Sequence, residues 1–317
     1  MKNVIELIKK ADSVCVLGHI SEDADSVGSC LAAKTLLEGF GKKADIYLSA
    51  PVERRLRFLG IDAEIFDGTV RAYDLCLCID CADMARLGAR RALFDAAKST
   101  AQIDHHGTNT GFADANYIIA EASSAGELVY NVFAQMGAEI DKKCAGFLFA
   151  AIASDTGSFK YSNVGAETMC ICAELLETGI DNAYISRMLF DTTSVEMMHF
   201  KGYVMTHVNT YFAGRLAMIC VSAAEFSRFG VEEKDAGDIV NIARETEGAE
   251  LAVSVREVED KVKISFRSNG KYRVDTIAAL FGGGGHRMAS GATVSEMSLE
   301  EASERVRTAC CEVLEND

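Results

Sequence analysis

Four short stretches of the sequence set acidic and imidazole side chains where a parallel sheet would gather them. Gly18-His19-Ile20-Ser21-Glu22-Asp23-Ala24-Asp25 follows the apolar run Val14–Leu17, Asp80 follows Leu75–Ile79, and Asp104-His105-His106 follows Ala101–Ile103. Asp155 comes after the helical run Lys143–Ala153, in Ser154-Asp155-Thr156-Gly157-Ser158. Ligands of open parallel sheets bind at the carboxyl ends of the strands. Three strands therefore bring aspartates and histidines to one edge. So many like charges cannot be gathered out of water without a counter-ion, and divalent metal is the simplest one. A mixture of imidazole and carboxylate suits manganese, iron, cobalt or zinc better than calcium, and the lack of thiolate ligands weighs against structural zinc. Asp23, Asp25, Asp80 and Asp155 would balance two divalent ions, the arrangement used for phosphate ester hydrolysis. Taken singly, an Asp at a strand end is most often a helix cap or turn former. It is the recurrence of order, strand-end placement and residue mixture that points to a site.

The elements that must position these residues alternate. Val14–Leu17, Ala44–Leu48, Leu75–Ile79 and Ala101–Ile103 predict buried strands, and Val27–Leu37, Ala125–Met136 and Lys143–Ala153 predict helices, continued by Ala166–Glu177 and Ala183–Phe190. Such alternation argues for a mostly parallel sheet covered on both faces. Residues 191–212 are more polar and read as a connecting helix or linker. Beyond them Arg215–Val221, Ala249–Val258 and Lys261–Phe266 predict strands, the last two joined as a hairpin, among helical patterns at Asp235–Arg244, Val274–Phe281 and Leu299–Leu314. The fold class is α/β. A parallel-sheet catalytic domain is expected at 1–190, a connector at 191–212, and a smaller α/β domain at 213–317.

Composition narrows the partners. The 317 residues suffice for two cores, and 49% hydrophobic with 25% charged residues is a globular balance. No apolar run reaches the roughly 18 residues of a membrane span. The start of the chain reads as an amphipathic helix, not a signal peptide, so no membrane partner is expected and the cytoplasm is the default location. Eleven cysteines scattered through apolar segments fit free thiols in a reducing compartment; Cys78 and Cys81 form a C-x-x-C, but no second pair completes a zinc site. A formal charge of −15 opposes binding of long nucleic acid, whose affinity depends on neutralising phosphates. Residues 256–290 reverse that balance, with seven Lys or Arg against four Asp or Glu. A local pocket for one phosphate fits there. Gly282–Gly285 would let backbone N–H groups approach an anion closely, flanked by Arg267 and His286.

Together these stretches resemble the DHH phosphoesterases, a family named for the triplet present as Asp104-His105-His106. The family's first motif appears as His19-Ile20-Ser21-Glu22-Asp23-Ala24-Asp25-Ser26-Val27-Gly28-Ser29, its second as Asp80 with Arg86-Leu87-Gly88, and its fourth as Ser154-Asp155-Thr156-Gly157-Ser158-Phe159. Phe266-Arg267-Ser268, Phe281-Gly282-Gly283-Gly284-Gly285-His286 and Ala289-Ser290-Gly291 resemble the substrate-binding domain associated with that family. The nanoRNase and pAp-phosphatase type is the most similar subgroup. Glu22 stands where the family has Pro, and Ala24 where it has Gly; neither supplies a ligand there. Glu22 is expected to add negative charge near the site.

The resemblance implies two Mn²⁺ ions, with Mg²⁺, Co²⁺ or Fe²⁺ as alternatives. His19, Asp23 and Asp80 would hold one. Asp25, Asp80, His105 and Asp155 would hold the other, with Asp80 bridging. His106 would steady charge on the phosphate, and Asp104 would orient the histidines. Arg267, Ser268, Gly283, Gly284, Gly285 and His286 would bind substrate. The implied reaction is hydrolysis of short oligonucleotides, linear dinucleotides such as pApA, or 3′-phosphoadenosine 5′-phosphate, in a chain that could act as a homodimer. Rival readings are a cyclic-dinucleotide phosphodiesterase, a RecJ-like exonuclease, an inorganic pyrophosphatase, and a catalytically silent nucleotide-binding regulator.

Overall fold

Apolar strands and the helices that cover them form two units in the computed structural model, Met1–Thr192 and Thr193–Asp317, with residues 1–315 described. The first unit runs α1 (Lys2–Lys10), β1 (Ser13–Leu17), α2 (Ala24–Gly39), β2 (Lys43–Leu48), β3 (Glu64–Ile65), β4 (Leu75–Ile79), α3 (Arg91–Ala96), β5 (Thr100–Asp104) and β6 (Ala115–Ile118). It continues through α4 (Ala125–Gln135), α5 (Lys142–Asp155), α6 (Ala166–Glu177) and α7 (Asn182–Ser186). Its six strands are all parallel, in the order β3-β2-β1-β4-β5-β6. Every residue of β4 and β5 is buried, as a sheet covered on both faces requires. The chain moves outward from β1 through β2 and β3, then returns to lay β4 on the other side of β1. The gap between the carboxyl ends of β1 and β4 is therefore the topological switch point, where ligands of open α/β sheets bind.

Helix spacing is set by a glycine. A Cβ on Gly28 of α2 would lie 2.7 Å from the carbonyl oxygen of Phe147 and 3.2 Å from the Ala151 Cβ, both on α5. The two helices thus meet backbone to backbone. Asp25 sits in the first turn of α2 and Asp155 ends α5, so this contact governs how those carboxylates face each other.

The second unit runs α8 (Val195–Thr206), β7 (Asn209–Tyr211), β8 (Leu216–Val221), α9 (Ala223–Phe229), α10 (Val240–Arg244), β9 (Leu251–Val258) and β10 (Lys261–Ser268). It ends with α11 (Val274–Ala279), β11 (Gly284–His286), β12 (Ala289–Ser295) and α12 (Leu299–Glu315). The sheet order is β11-β12-β10-β9-β8-β7; β8 and β9 pair parallel and the other neighbours antiparallel. One face buries Val253, Ile264 and Phe266 against α11 and α12, and the other buries Ala217, Ile219 and Ala252 with α8, α9 and residues 236–243. Helix α8 lies in the stretch expected as a connector, yet Met197, Phe200 and Val204 place it in that second core. The helical pattern expected over Asp235–Arg244 is broken at Gly237 into a turn, Glu233–Ala236, and α10. Among the described residues no helix is long and apolar enough to cross a membrane.

Candidate metal centre and substrate residues

The loop after β1 is shaped by its own side chains. Asp23 caps α2, its Oδ1 accepting from the Ser26 amide at 3.0 Å. His19 Nδ1–H donates to the Ile20 carbonyl at 2.7 Å, which leaves Nε2 as the lone-pair side. Asp25 is fully buried and accepts from the Ala125 and Gly126 amides (2.7 and 3.0 Å) at the start of α4 and from Ser29 Oγ (2.9 Å). A helix N-terminus favours a carboxylate there. At the end of β4, Asp80 takes a left-handed φ of 57°, a conformation Asp tolerates better than most residues and one that collects at functional sites.

The expected residues converge. His19 Nε2 lies 3.6 Å from Asp23 Oδ2 and 3.4 Å from Asp80 Oδ2. His105 Nε2 lies 3.5 Å from Asp80 Oδ1, 3.6 Å from Asp25 Oδ2 and 3.3 Å from Asp155 Oδ2. Asp80 thus turns one oxygen to each histidine. Among the groups of mutually close donors are His19 with Asp23 and Asp80, and Asp25 with Asp80 and His105; Asp155 joins the second through His105. Two donors about 2.1 Å from one ion lie about 3.0 to 3.5 Å apart in octahedral or tetrahedral geometry. The observed separations fit that spacing better than direct hydrogen bonds. The residues present therefore suit divalent metal in both donor type and distance.

Electrostatics point the same way. Burial, then the charges of Asp80 and Asp155, push the Asp25 carboxyl well above the usual carboxylate range. Burial pushes Asp155 up to about 7. Burial also opposes charge on Asp80 and Asp23, but neighbouring histidines outweigh it and hold both below the ordinary value. His19 and His105 show the converse: burial disfavours their protonation, and the surrounding aspartates overcome it and raise both. Without cations the pocket retains protons, and metal entry must release them.

His106 and Asp104 adjoin the cluster, with His106 Nδ1 3.6 Å from Asp80 Oδ1. Asp104 is fully buried, and its Oδ1 lies 2.8 Å from His106 Nδ1. Its other oxygen accepts from Asn109 Nδ2. Nδ1–H is thereby held. Sequence reasoning missed Asn109, whose only signal is its place in the turn after the triplet. It also misjudged Glu22. That side chain is buried and paired with the buried Arg90 guanidinium at 2.7 Å, so its charge is offset within the fold. Ala24 is the first residue of α2, where the alanine suits the helix.

In the second unit, β10, β12 and β11 align Arg267, Ala289 and His286 in one row, because Arg267 pairs with Ala289 and Ala289 with His286. Directly paired residues share a face, so Arg267 and His286 project from the same side about 10 Å apart, over a small residue. Ser268 points to the opposite face, and its hydroxyl accepts from the Tyr272 amide at 3.2 Å. The glycine run also differs from the expected nest of free amides. Gly282 and Gly283 donate to the Ala279 and Ala278 carbonyls (3.1 and 3.0 Å), closing α11. Glycine is needed there on steric grounds: a Cβ on Gly283 would lie 2.1 Å from the Gly291 carbonyl oxygen, and Gly285 has a φ of +140°.

Comparison with known proteins gives the family. Residues 13–152 match the DHH family, N-terminal domain, and residues 216–312 match the DHHA1 domain. A bifunctional oligoribonuclease and PAP phosphatase NrnA from Thermus thermophilus is 31% identical, covering 99% of this chain and 94% of that protein. The chain belongs to the DHH family. A protein of the same description from Bacillus subtilis is 25% identical over 92% of each chain. An exopolyphosphatase-related protein from Bacteroides fragilis has a solved structure with a TM-score of 0.90 and 27% identity, covering 98% of this chain and 96% of its own. As a DHH protein the chain is a phosphoesterase. All the metal-centre candidates except Asp155 fall in the matched DHH region, and Arg267, Ser268, Gly283, Gly284, Gly285 and His286 fall in the DHHA1 region.

Proposed function

We propose that this DHH phosphoesterase uses two manganese ions to hydrolyse short oligonucleotides, linear dinucleotides and 3′-phosphoadenosine 5′-phosphate. The observation that carries this reading is Asp80, whose two oxygens face His19 and His105 separately, at 3.4 and 3.5 Å, as a carboxylate shared by two ions would. Magnesium, cobalt and iron suit the same donors. His19, Asp23 and Asp80 are the residues for one ion; Asp25, Asp80, His105 and Asp155 are those for the other. When bound, such ions supply Lewis acidity and activate water for in-line attack on phosphorus.

The chain's own groups do the rest. His106, held and oriented through Nδ1 by Asp104, would lie beside the phosphate under attack. Asn109 keeps Asp104 from turning. Arg267 and His286 share one face of their sheet and offer charge-assisted contacts to a second phosphate or a base edge. The glycines at 283 and 285 let β11 and β12 approach closely enough to form that row. A charge of −15 disfavours long polyanions, so the short substrates named for the NrnA relatives fit this chain best. Those relatives match nearly the whole of both chains at 31% and 25% identity, which favours their activity over the exonuclease, pyrophosphatase and cyclic-dinucleotide readings, and the intact donor set weighs against a silent regulator. Eleven free thiols, most of them buried, support a reducing, cytoplasmic setting.

The test is kcat/KM on single strands of increasing length, with 3′-phosphoadenosine 5′-phosphate and pyrophosphate alongside, at fixed salt and saturating manganese. Efficiency should peak at about two to five nucleotides, because further phosphates meet an acidic surface. A steady rise toward long strands, or hydrolysis of pyrophosphate alone, would refute it.

A further inference from the structure

The loop that carries His19 and Asp23 is tied down by a buried ion pair. Glu22 Oε1 accepts from Arg90 Nη1 at 2.7 Å and from the Ser49 amide at 2.6 Å, and its Oε2 accepts from Ser49 Oγ at 2.7 Å. Arg90 Nη1 also donates to the Tyr47 carbonyl at 2.9 Å, and its Nε to the Leu87 carbonyl at 3.3 Å. The side chains of Arg90 and Glu22 are 1% and 4% exposed. Three segments meet in this one cluster: the loop after β1, the end of β2, and the stretch that follows Asp80. The Ile20 amide adds a 2.8 Å bond to the Arg86 carbonyl, and Gly88 leaves just enough room for Ile20, since a Cβ there would lie 2.7 Å from its Cγ2.

Glu22 precedes Asp23 directly. Its carboxylate is taken up by Arg90 and Ser49 and anchors the loop. A stability argument alone does not account for the pair, because a buried ion pair is often no better for stability than apolar residues of the same volume. What it adds is direction: Arg90 reaches Glu22, Tyr47 and Leu87 through Nη1 and Nε, the carboxylate takes three donors, and together these bonds fix the loop's path more narrowly than packing does.

We propose that Glu22 and Arg90 are positioning residues for the His19–Asp23 side of the metal centre, an inference that rests on the metal-centre reading above. They touch neither metal nor substrate. They hold His19 and Asp23 at the spacing an ion needs relative to Asp80, and so set the affinity of that side of the centre.

The variants are Glu22→Gln, Arg90→Met, the double variant, and the milder Arg90→Lys in case the single changes fold poorly. Manganese affinity is measured by calorimetry on the metal-stripped protein, together with Tm without metal, and kcat and KM at saturating manganese. Each single variant should lower Tm and weaken the affected manganese site by about 10- to 100-fold, as loss of supporting contacts around metal ligands does. Arg90→Lys should fall between them and wild type. With metal saturating, KM should stay at the wild-type value. The discriminating case is the double variant: it carries no buried unpaired charge, so its Tm should recover while its manganese affinity stays low. Recovery of both together would show a merely structural pair and overturn the proposal, as would single variants, Arg90→Lys included, that bind manganese like wild type. Asp80→Asn serves as the control. If wild type and Asp80→Asn take up manganese equally, the metal-centre reading itself fails and this inference fails with it; if Asp80→Asn loses binding and the Glu22 and Arg90 variants do not, only this inference fails.

Discussion

Changing Asp80 to Asn should silence the enzyme without unfolding it. The substitution keeps the side chain's size, and Asn tolerates the left-handed φ of 57° found at this position. It removes one of four aspartate charges facing two divalent ions, and replaces an oxygen that faces either His19 or His105 with an amide nitrogen. Metal ions supply several kcal/mol of transition-state stabilisation. Losing about 4 kcal/mol of it corresponds to about a thousandfold in rate. Stability without metal should change much less than activity. The Asp80 charge raises the Asp25 and Asp155 carboxyls, which Asn relieves, but it also favours the charged His19 and His105 and is itself held low, so the metal-free variant should melt only modestly below the wild-type Tm. The assay is kcat/KM on a linear dinucleotide at saturating manganese, with melting curves for stripped and loaded protein. Wild type should gain Tm on adding manganese and Asp80→Asn should gain much less. A variant that keeps manganese-dependent turnover within tenfold of wild type would refute the shared-carboxylate argument, and so would one that melts far below wild type without metal.

Other perturbations follow from the same geometry. His19, His105, Asp25 and Asp155 all hold protons more tightly in the folded state than their ordinary values, so the metal-free protein should lose stability as pH rises from about 5 to about 8. Asp23 and Asp80 are held low and act oppositely, their contribution being lost only as pH falls below about 4; Tm against pH, with and without manganese, checks this, and a metal-free Tm that rises across that range would contradict it. Gly28→Ala would help an ordinary helix, but here its Cβ would meet the Phe147 carbonyl at 2.7 Å. A loss of about 1–3 kcal/mol is expected from urea unfolding, with reduced turnover as Asp155 shifts, and a stabilised variant would show that α2 and α5 tolerate separation. Arg267→Ala should weaken substrate binding by about 1.5–3 kcal/mol, whereas His286→Ala should lower kcat more than it raises KM if it contacts the phosphate under attack; steady-state kinetics on a dinucleotide separate the two, and unchanged KM in Arg267→Ala would remove that residue from the substrate site.

Much of the centre was legible because it is built from strand ends. Buried parallel strands read as apolar runs, so Leu75–Ile79 and Ala101–Ile103 announce themselves, and the Asp and His residues that follow must emerge at one edge of the sheet. Short edge strands were harder to see. β3 has two residues and β11 has three, and β12 beside it, with the sequence Ala-Ser-Gly-Ala-Thr-Val-Ser, is an inner strand hidden by small residues where strands favour branched and aromatic ones. Local periodicity could not show that α8 belongs to a core, because Met197, Phe200 and Val204 are spread through a segment with exposed Val195, Met198 and Met205. The supporting contacts were beyond reach for a different reason. Glu22 and Arg90 are 68 residues apart, and Asp25 meets the Ala125 amide across 100 residues. Such contacts leave no trace in spacing. Glu22 therefore reads as loose charge in the sequence and as an anchored carboxylate in the fold, and the glycines at 282 and 283 read as free amides when the fold uses them to close a helix.

The central claim is that a shared carboxylate centre makes this chain a two-metal phosphoesterase. The most direct measurement is a manganese titration of the stripped protein, following bound metal and dinucleotide hydrolysis in the same samples. Hydrolysis should be absent without metal and should reach its maximum as two equivalents per chain are taken up. Turnover that persists in protein shown to hold no metal, or that is complete at one equivalent, would contradict it.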